Sequence, residues 1–186
     1  MDALMLLILC IVIIACLIFG IYMYLYNRIQ DFIVKINEIE TVIDTNLRNK
    51  YDNINKCATI IKNDEKIKDE KDKKVFEELI KLRNRKISNF DLDRKLIEAN
   101  NQFIALKQKY SSLNKNEEIK EISKKIEDCD EKLDVNREYY NNSIAEYNKL
   151  VKLFPTNIIA KICKYEEKLF FDKKDMSDDD FNDFKF

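Results

Sequence analysis

The sequence predicts an all-α protein: an N-terminal transmembrane helix followed by an antiparallel four-helix bundle of long helices. Three observations carry that expectation. Ala3 to Tyr26 holds no charged residue and is built almost wholly of Leu, Ile, Val, Met, Phe, Tyr, Ala and Cys. The 186-residue chain has one Gly and one Pro, too few for turn-rich β architectures. Beyond Tyr26, apolar residues recur at the spacing of one helix face.

At about 1.5 Å per residue, roughly 20 apolar residues cross a hydrocarbon core of about 30 Å. The first run has enough, with some spare for tilt. Gly20 is tolerated in a membrane helix, and Tyr22, Tyr24 and Tyr26 gather where amphipathic rings suit the headgroup layer. Only Met1 and Asp2 precede the run, whereas Arg28 and Lys35 follow it. The positive-inside bias therefore sets the N-terminus outside and the C-terminal domain in the cytoplasm, a single-pass cell-membrane protein. A cleaved signal peptide would need a basic start and a shorter apolar stretch. A lipoprotein reading rests on Ile13-Ile14-Ala15-Cys16, against which Leu17 to Tyr26 stays apolar where such a protein turns polar.

Charged residues make up 36% of the chain, are interspersed, and nearly cancel to a net charge of -1. No basic field exists to hold nucleic acid. Histidine is absent, which removes the usual general base, the usual zinc ligand and every Ser–His or Cys–His pair. The Glu-x-x-His di-iron sites of helical bundles are excluded with it. A Gly-rich phosphate loop cannot be built around Gly20 alone. Cys10, Cys16, Cys57, Cys129 and Cys163 form no CxxC pair and read as small hydrophobes in a reducing compartment. No catalytic residue, cofactor or metal is expected.

The first stripe is Ile29, Phe32, Ile36, Ile39, Ile43, Leu47, Tyr51, Ile54, Ala58 and Ile61. No Pro or Gly separates it from the span, so the two are expected to form one rod. Asn63 to Lys74 reads as a solvated charged connection without an apolar face. A shorter second helix carries Val75, Phe76, Leu79, Leu82 and Ile87; Ser88-Asn89 offers a break, and Asp91 or Asp93 a cap for the next helix. The third follows Leu92, Leu96, Ala99, Phe103, Leu106, Tyr110 and Leu113, with Ser111 to Asn116 as its closing turn. The fourth follows Ile119, Ile122, Ile126, Cys129, Leu133, Asn136, Tyr140, Ile144, Tyr147, Val151 and Phe154 until Pro155 stops it.

On that fourth seam Asn136 is expected to fix register. Glu117, Glu118, Glu121 and Glu127 among Lys120, Lys124 and Lys125 read as exposed helical pairing rather than catalysis. Arg137 flanks the seam and is expected to donate to a phenol or a carbonyl of a neighbouring helix. A further short helix over Thr156 to Phe171 would use Ile158, Ile159, Ile162 and Tyr165. The last segment alternates Asp178-Asp179-Asp180 with Phe181, Phe184 and Phe186 and reads as a disordered tail, either solubilising or a partner-docking motif. The expected domains are a 1–26 anchor, a 27–171 bundle and a 172–186 tail.

Two stretches resemble the signature of LemA proteins. Arg137-Glu138-Tyr139-Tyr140-Asn141 through Tyr147-Asn148 is similar to its Arg followed by two Tyr-Asn pairs, and Leu153-Phe154-Pro155-Thr156-Asn157 to Ala160 to its Phe-Pro-Ser/Thr-Asn with a following Ala. Tyr26-Asn27 resembles the family's opening Tyr-Asn, and Tyr51-Asp52 its Tyr-Asp, so the resemblance spans Ala3 to about Phe171. Asn55 stands where the family has a Pro, Tyr110-Ser111 where it has Tyr-Pro, and Asp130 where it has Glu. The resemblance implies a single N-terminal span, a cytoplasmic bundle of long helices and membrane location. It assigns structural roles to Tyr26, Asn27, Tyr51, Asp52, Arg137, Tyr140, Asn141, Tyr147, Asn148, Phe154 and Pro155. No catalytic activity is established for the family in general; a related magnetosome protein implies membrane organisation in some members.

Two functions are therefore expected from the sequence. One is a docking or scaffold element at the cell envelope, binding partners along outer helix faces or through Phe181, Phe184 and Phe186. The other is a signalling or stress-sensing relay through the rod from Ala3 to Ile61. An enzyme is the weakest reading. The expected partners are the lipid bilayer and an unidentified protein, and the seams leave a homo-oligomer open.

Overall fold

The computed structural model describes residues 3–77, 80 and 87–171, and the statements below concern those residues. The regular structure among them is helical: α1 Ala3–Asn63, α2 Glu70–Lys74, α3 Asn89–Lys109, α4 Ser111–Lys115, α5 Glu117–Lys152 and α6 Thr156–Cys163. They form two compact units, one of residues 3–39 with 139–170 and one of residues 40–138 with Phe171.

The rod expected from the sequence is present as α1. Its first turns expose apolar side chains on every side, from Leu4 to Phe19, the pattern of a helix that crosses a membrane or is covered by protein. By length and composition this segment suffices to cross a membrane, consistent with a single anchor. At Asn55, where the family's Pro is missing, the helix continues unbroken. Thr59 donates its hydroxyl to the Asn55 carbonyl at 3.0 Å, and the Asn55 Oδ1 is enclosed without a partner.

In the unit of residues 40–138, α1 is tied to α5 through Lys50, whose ammonium meets Asp130. Ile43, Leu47, Ile54 and Ile61 of α1, Leu96, Phe103 and Leu106 of α3, and Ile119, Ile126 and Leu133 of α5 are all buried. Arg137 pairs with Asp93, and Lys107 donates to Ser123 at 3.1 Å. As numbers rise along α3 they fall along α5, so the two are antiparallel. Cys57 and Cys129 are buried as expected; burial pushes the Cys57 thiol up to about 12 and raises that of Cys129, so both stay protonated at neutral pH.

Four local expectations need correction here. The connection after Asn63 does bury an apolar residue, Ile67, and α2 forms inside it with the Asp69 side chain accepting from the Lys71 N–H at 2.9 Å. The cap of α3 is Ser88, whose hydroxyl oxygen accepts from the Asp91 N–H at 3.1 Å; Asp91 is instead the acidic third residue of that cap, and Asp93 is buried. Ser111 to Asn116 is not only a turn: Tyr110 leaves helical geometry and α4 follows, burying Leu113. Asn136 donates to the Lys132 carbonyl of its own helix at 2.7 Å. The neighbouring residue, Arg137, occupies the buried seam position, because Leu133 to Arg137 to Tyr140 keeps the helical step. Of the expected second helix, Phe76 is buried and the Ile80 N–H donates to the Phe76 carbonyl at 3.0 Å, whereas Leu79 and Leu82 lie outside the described residues.

In the unit of residues 3–39 with 139–170, Ile29 and Ile36 are buried together with Tyr140, Ile144, Tyr147, Ile159 and Ala160. Lys35 Nζ lies 4.4 Å from the centre of the Tyr139 ring. Pro155 ends α5 as expected, after a cis Phe154–Pro155 peptide, and Thr156 donates to the Leu150 and Leu153 carbonyls at 2.5 and 2.9 Å. The following helix is shorter than expected. Lys164 takes left-handed backbone, φ 57°, and the Tyr165 N–H closes onto the Ala160 carbonyl at 2.8 Å, so α6 stops at Cys163 rather than near Phe171. Its apolar face also differs: Ile159 and Ala160 are buried, Ile158 and Ile162 are not, and Phe154 is exposed.

One tie has a pH signature. Asp72 accepts from Lys109 Nζ at 2.5 Å and from the Tyr110 hydroxyl at 2.6 Å. Those hydrogen bonds hold the Asp72 carboxyl below its usual range and raise Lys109 and Tyr110 above theirs. A lowered carboxyl stabilises above its unfolded pKa of about 3.9 and loses that as pH falls through the folded value; a raised Lys or Tyr loses its contribution as pH rises through its folded value, above about 10. The tie between α2 and α3 is therefore complete between those limits. Amide exchange over Glu70–Lys74 is expected to accelerate, beyond the intrinsic rate change, as pH drops below the carboxylate range, and Asp72→Asn should remove that step.

Candidate functional site

Lys50 and Arg137, the two buried cations of the 40–138 unit, line one cleft of about 260 Å³ together with Ile97, Asn100, Asn101, Asp130 and Asp134. Each arrives by helical register. Lys50 lies three residues beyond Leu47 on the buried side of α1, and its stem is covered so fully that only 1% of the side chain is exposed. Its ammonium donates to Asp130 of α5. One turn on, Arg137 Nη1 donates to Asp134 at 2.9 Å, and Nη2 donates to Asp93 of α3. The Arg137 and Asp93 side chains are 7% and 4% exposed, so water screens this pair little.

Two cations thus face three carboxylates, and Arg137 Nε remains enclosed without an acceptor. The chemistry of such a set is pairing. Desolvating two charges offsets much of their attraction, so the cluster's contribution lies in position: each helix has one register at which its charge meets its counter-charge. Among the described residues, no group of three His, Cys, Asp or Glu is placed to hold a metal. The expected surface pairs of α5 are present, Lys120–Glu117 at 2.7 Å and Lys125–Glu121 at 2.6 Å.

The signature residues are divided between the two units. Arg137 is at the centre of the charge cluster, but its acceptors are carboxylates and not the phenol or carbonyl expected, because a buried guanidinium needs a counter-charge. Tyr51 is buried with its hydroxyl 3.3 Å from the Ile80 carbonyl, while Asp52 faces solvent. Tyr140 and Tyr147 are core residues of the other unit, with Asn141 half-buried beside them; burial raises the Tyr147 phenol. Asn148 holds the chain after α6, donating to the Lys168 carbonyl and accepting from the Lys168 N–H, both at 2.9 Å. Tyr26 is half-buried and stacks on Tyr22, Asn27 is exposed, and Pro155 precedes α6. Phe181, Phe184 and Phe186 lie outside the described residues.

Lys50 and Asp93 were missed by sequence reasoning. A signal existed for both: a Lys at a buried-stripe step of α1, and an Asp adjoining Leu92 at the start of the α3 stripe. Charge alone argued for the surface.

Fold and cluster define a class: an all-α protein with one long apolar N-terminal helix and a core pinned by buried ion pairs. The sequence model of the LemA family matches residues 40–186, most of the chain. The chain belongs to the LemA family. The matched region includes Tyr51, Arg137, the two Tyr-Asn pairs and the segment after Phe171; it begins beyond Tyr26-Asn27. Neither a curated protein nor a solved structure matches the chain.

Removing one partner of the buried pair should be costly. Asp93→Ala leaves the buried Arg137 with only the half-exposed Asp134 as counter-charge, an expected loss of up to about 3–5 kcal/mol in urea unfolding of the detergent-solubilised chain. The double change Asp93→Leu with Arg137→Met should recover most of it.

Proposed function

We propose that this chain is a single-pass membrane protein whose helical core, an antiparallel four-helix bundle in plan, serves as a docking or scaffold element on the cytoplasmic side of the cell envelope, without catalysis of its own. The observation that carries this reading is α1: one helix, Ala3–Asn63, supplies both the membrane-length apolar segment and a wall of the folded core. A core held on a continuous backbone is presented at a set distance from the bilayer instead of being free to wander on a linker.

Further features support the reading. The buried charges of the cleft are largely paired with one another, which suits a rigid platform better than a reaction centre. Val42, Ile104 and Val135 expose apolar surface on outer helix faces where a partner can lie. The fourth helix of the plan is supported by the helical bond from Ile80 to Phe76 and by the contact of Tyr51 with Ile80, which sets a returning segment beside α1. Arg28 and Lys35 support the cytoplasmic orientation. Phe181, Phe184 and Phe186, inside the family match, offer apolar anchors in an acidic tail.

The test is crosslinking in cells with photoreactive residues at exposed Val42 and Val135, with and without residues 178–186. Specific protein adducts are expected, fewer when the tail is deleted. Recovery of every adduct from the shortened chain removes the tail from the proposal, and no adduct at any position removes the docking function.

The unbroken course of α1 also favours a second reading, a relay that carries a membrane event into the core. A relay requires stiffness, so two glycines inserted after Asn27 should abolish its response, whereas a passive platform should keep its crosslinked partners.

A further inference from the structure

The corner where α5 turns into α6 carries an apolar surface that is exposed among the described residues. Leu153 is 53% exposed, Phe154 79%, Ile158 51% and Ile162 66%. Phe154, Ile158 and Ile162 are spaced four apart, so they share one side of α6 and of the turn before it. Ile159 and Ala160 point the other way, into the core of this unit. The short helix is therefore apolar on both sides, and among the described residues its outer side is left exposed.

Hydrogen bonds within the same unit set the height of this corner. Gln30 donates to the Tyr165 hydroxyl, and Tyr165 also shares a hydrogen bond with Tyr26; burial and that bond push its phenol up to about 12. Tyr165 directly follows the left-handed residue that ends α6. Three residues later Lys168 is tied to Asn148, and Glu167 meets Lys152 at 2.9 Å. The last turns of α5, the whole of α6 and Tyr165 are thereby held at the level of Tyr26 to Gln30 on α1.

That level is the membrane surface. The uncharged run that ends at Tyr26 is about 36 Å long as a helix, against a hydrocarbon core of about 30 Å and about 40–45 Å with headgroups. Gln30 lies only about 6 Å further along the axis, within the headgroup layer. Arg28, Lys161 and Lys164 are exposed around the corner, as cations facing anionic headgroups would be.

We propose that the α5–α6 corner is a second membrane contact: Leu153, Phe154, Ile158 and Ile162 insert at the headgroup–acyl boundary of the leaflet from which α1 emerges. The span fixes the depth of the protein but leaves it free to rotate about the helix axis. An insertion beside the span removes that freedom and turns one defined side of the core toward the bilayer. The inference rests on the reading of α1 as a membrane span, and the experiment separates the two.

The full chain, freed of its own cysteines, is labelled with an environment-sensitive nitrobenzoxadiazole at Phe154→Cys or Ile162→Cys. It is reconstituted in phosphatidylcholine–phosphatidylglycerol vesicles that carry lipids spin-labelled at a shallow or a deep acyl carbon. Ile14→Cys reports the span, and Val42→Cys, further out on the same helix, reports water. Leu153→Cys and Ile158→Cys replace either corner site if circular dichroism shows lost helicity.

Shallow spin labels are expected to quench positions 154 and 162 by roughly two-fold or more, as for an interfacial helix. Deep labels should quench Ile14→Cys, and Val42→Cys should stay bright. If 14 is quenched while 154 and 162 behave like 42, the second contact is wrong and the span stands. Energy transfer between copies at 154 without lipid quenching overturns it in favour of a second copy. An unquenched position 14 overturns the span, and this inference with it.

Discussion

The backbone of α1 runs without a break from a segment apolar on every side into one apolar on a single stripe, and the rest of the molecule is arranged around that helix. In hydrocarbon each N–H and C=O must find its partner within the segment, which only a helix allows for a single strand. From Leu4 to Phe19 the side chains are apolar in every direction because every direction is the same solvent. Beyond Ile29 the helix meets water on one side and protein on the other, and its apolar residues narrow to a stripe. No residue interrupts the hydrogen-bond ladder between the two regimes. The apolar segment and one wall of the folded core therefore belong to a single helix.

Apolar stripes by themselves specify proximity poorly, since one Ile or Leu packs almost as well a turn higher or lower. The buried ion pairs supply the missing discrimination. Lys50 reaches Asp130, and Arg137 reaches Asp93, from different helices, and a one-turn slip would strand each charge in a medium that solvates it badly. The pattern explains why Arg137 sits in the interior of a chain that has ample surface for its charges. Its role is to choose an alignment among several that apolar packing would accept.

The other unit shows the opposite economy. Its polar contacts, Gln30 with Tyr165 and Asn148 with Lys168, hold loops and a short helix against the neighbouring helices and leave apolar residues outside. Exposed Phe154 and Ile162 would be a liability in water alone. Beside an apolar span they are compatible with a surface layer that is itself part water and part lipid.

Much of this was legible in the sequence. The apolar first segment, the continuity of α1, the end of α5 before Pro155 and the burial of Cys57 and Cys129 follow from local quantities, namely side-chain polarity, helical period and the missing N–H of proline, whereas the family was legible from the Tyr-Asn and Phe-Pro-Thr-Asn stretches. Local signals failed where burial depends on a second element. Asn136 looked like the seam's polar residue and Arg137 its flank, because a charge is costly to bury until Asp93 is brought from α3 to meet it. Asp93 looked like a cap until Ser88 took that place. The end of α6 turned on Lys164 adopting a left-handed backbone, for which Lys gives no hint. Sequence by itself determined the long helices α1, α3 and α5 and the apolar character of the first segment, because those depend on neighbours a few residues away. Only the tertiary structure decided which charges lie inside and which apolar residues stay out, because both depend on the faces that other helices present.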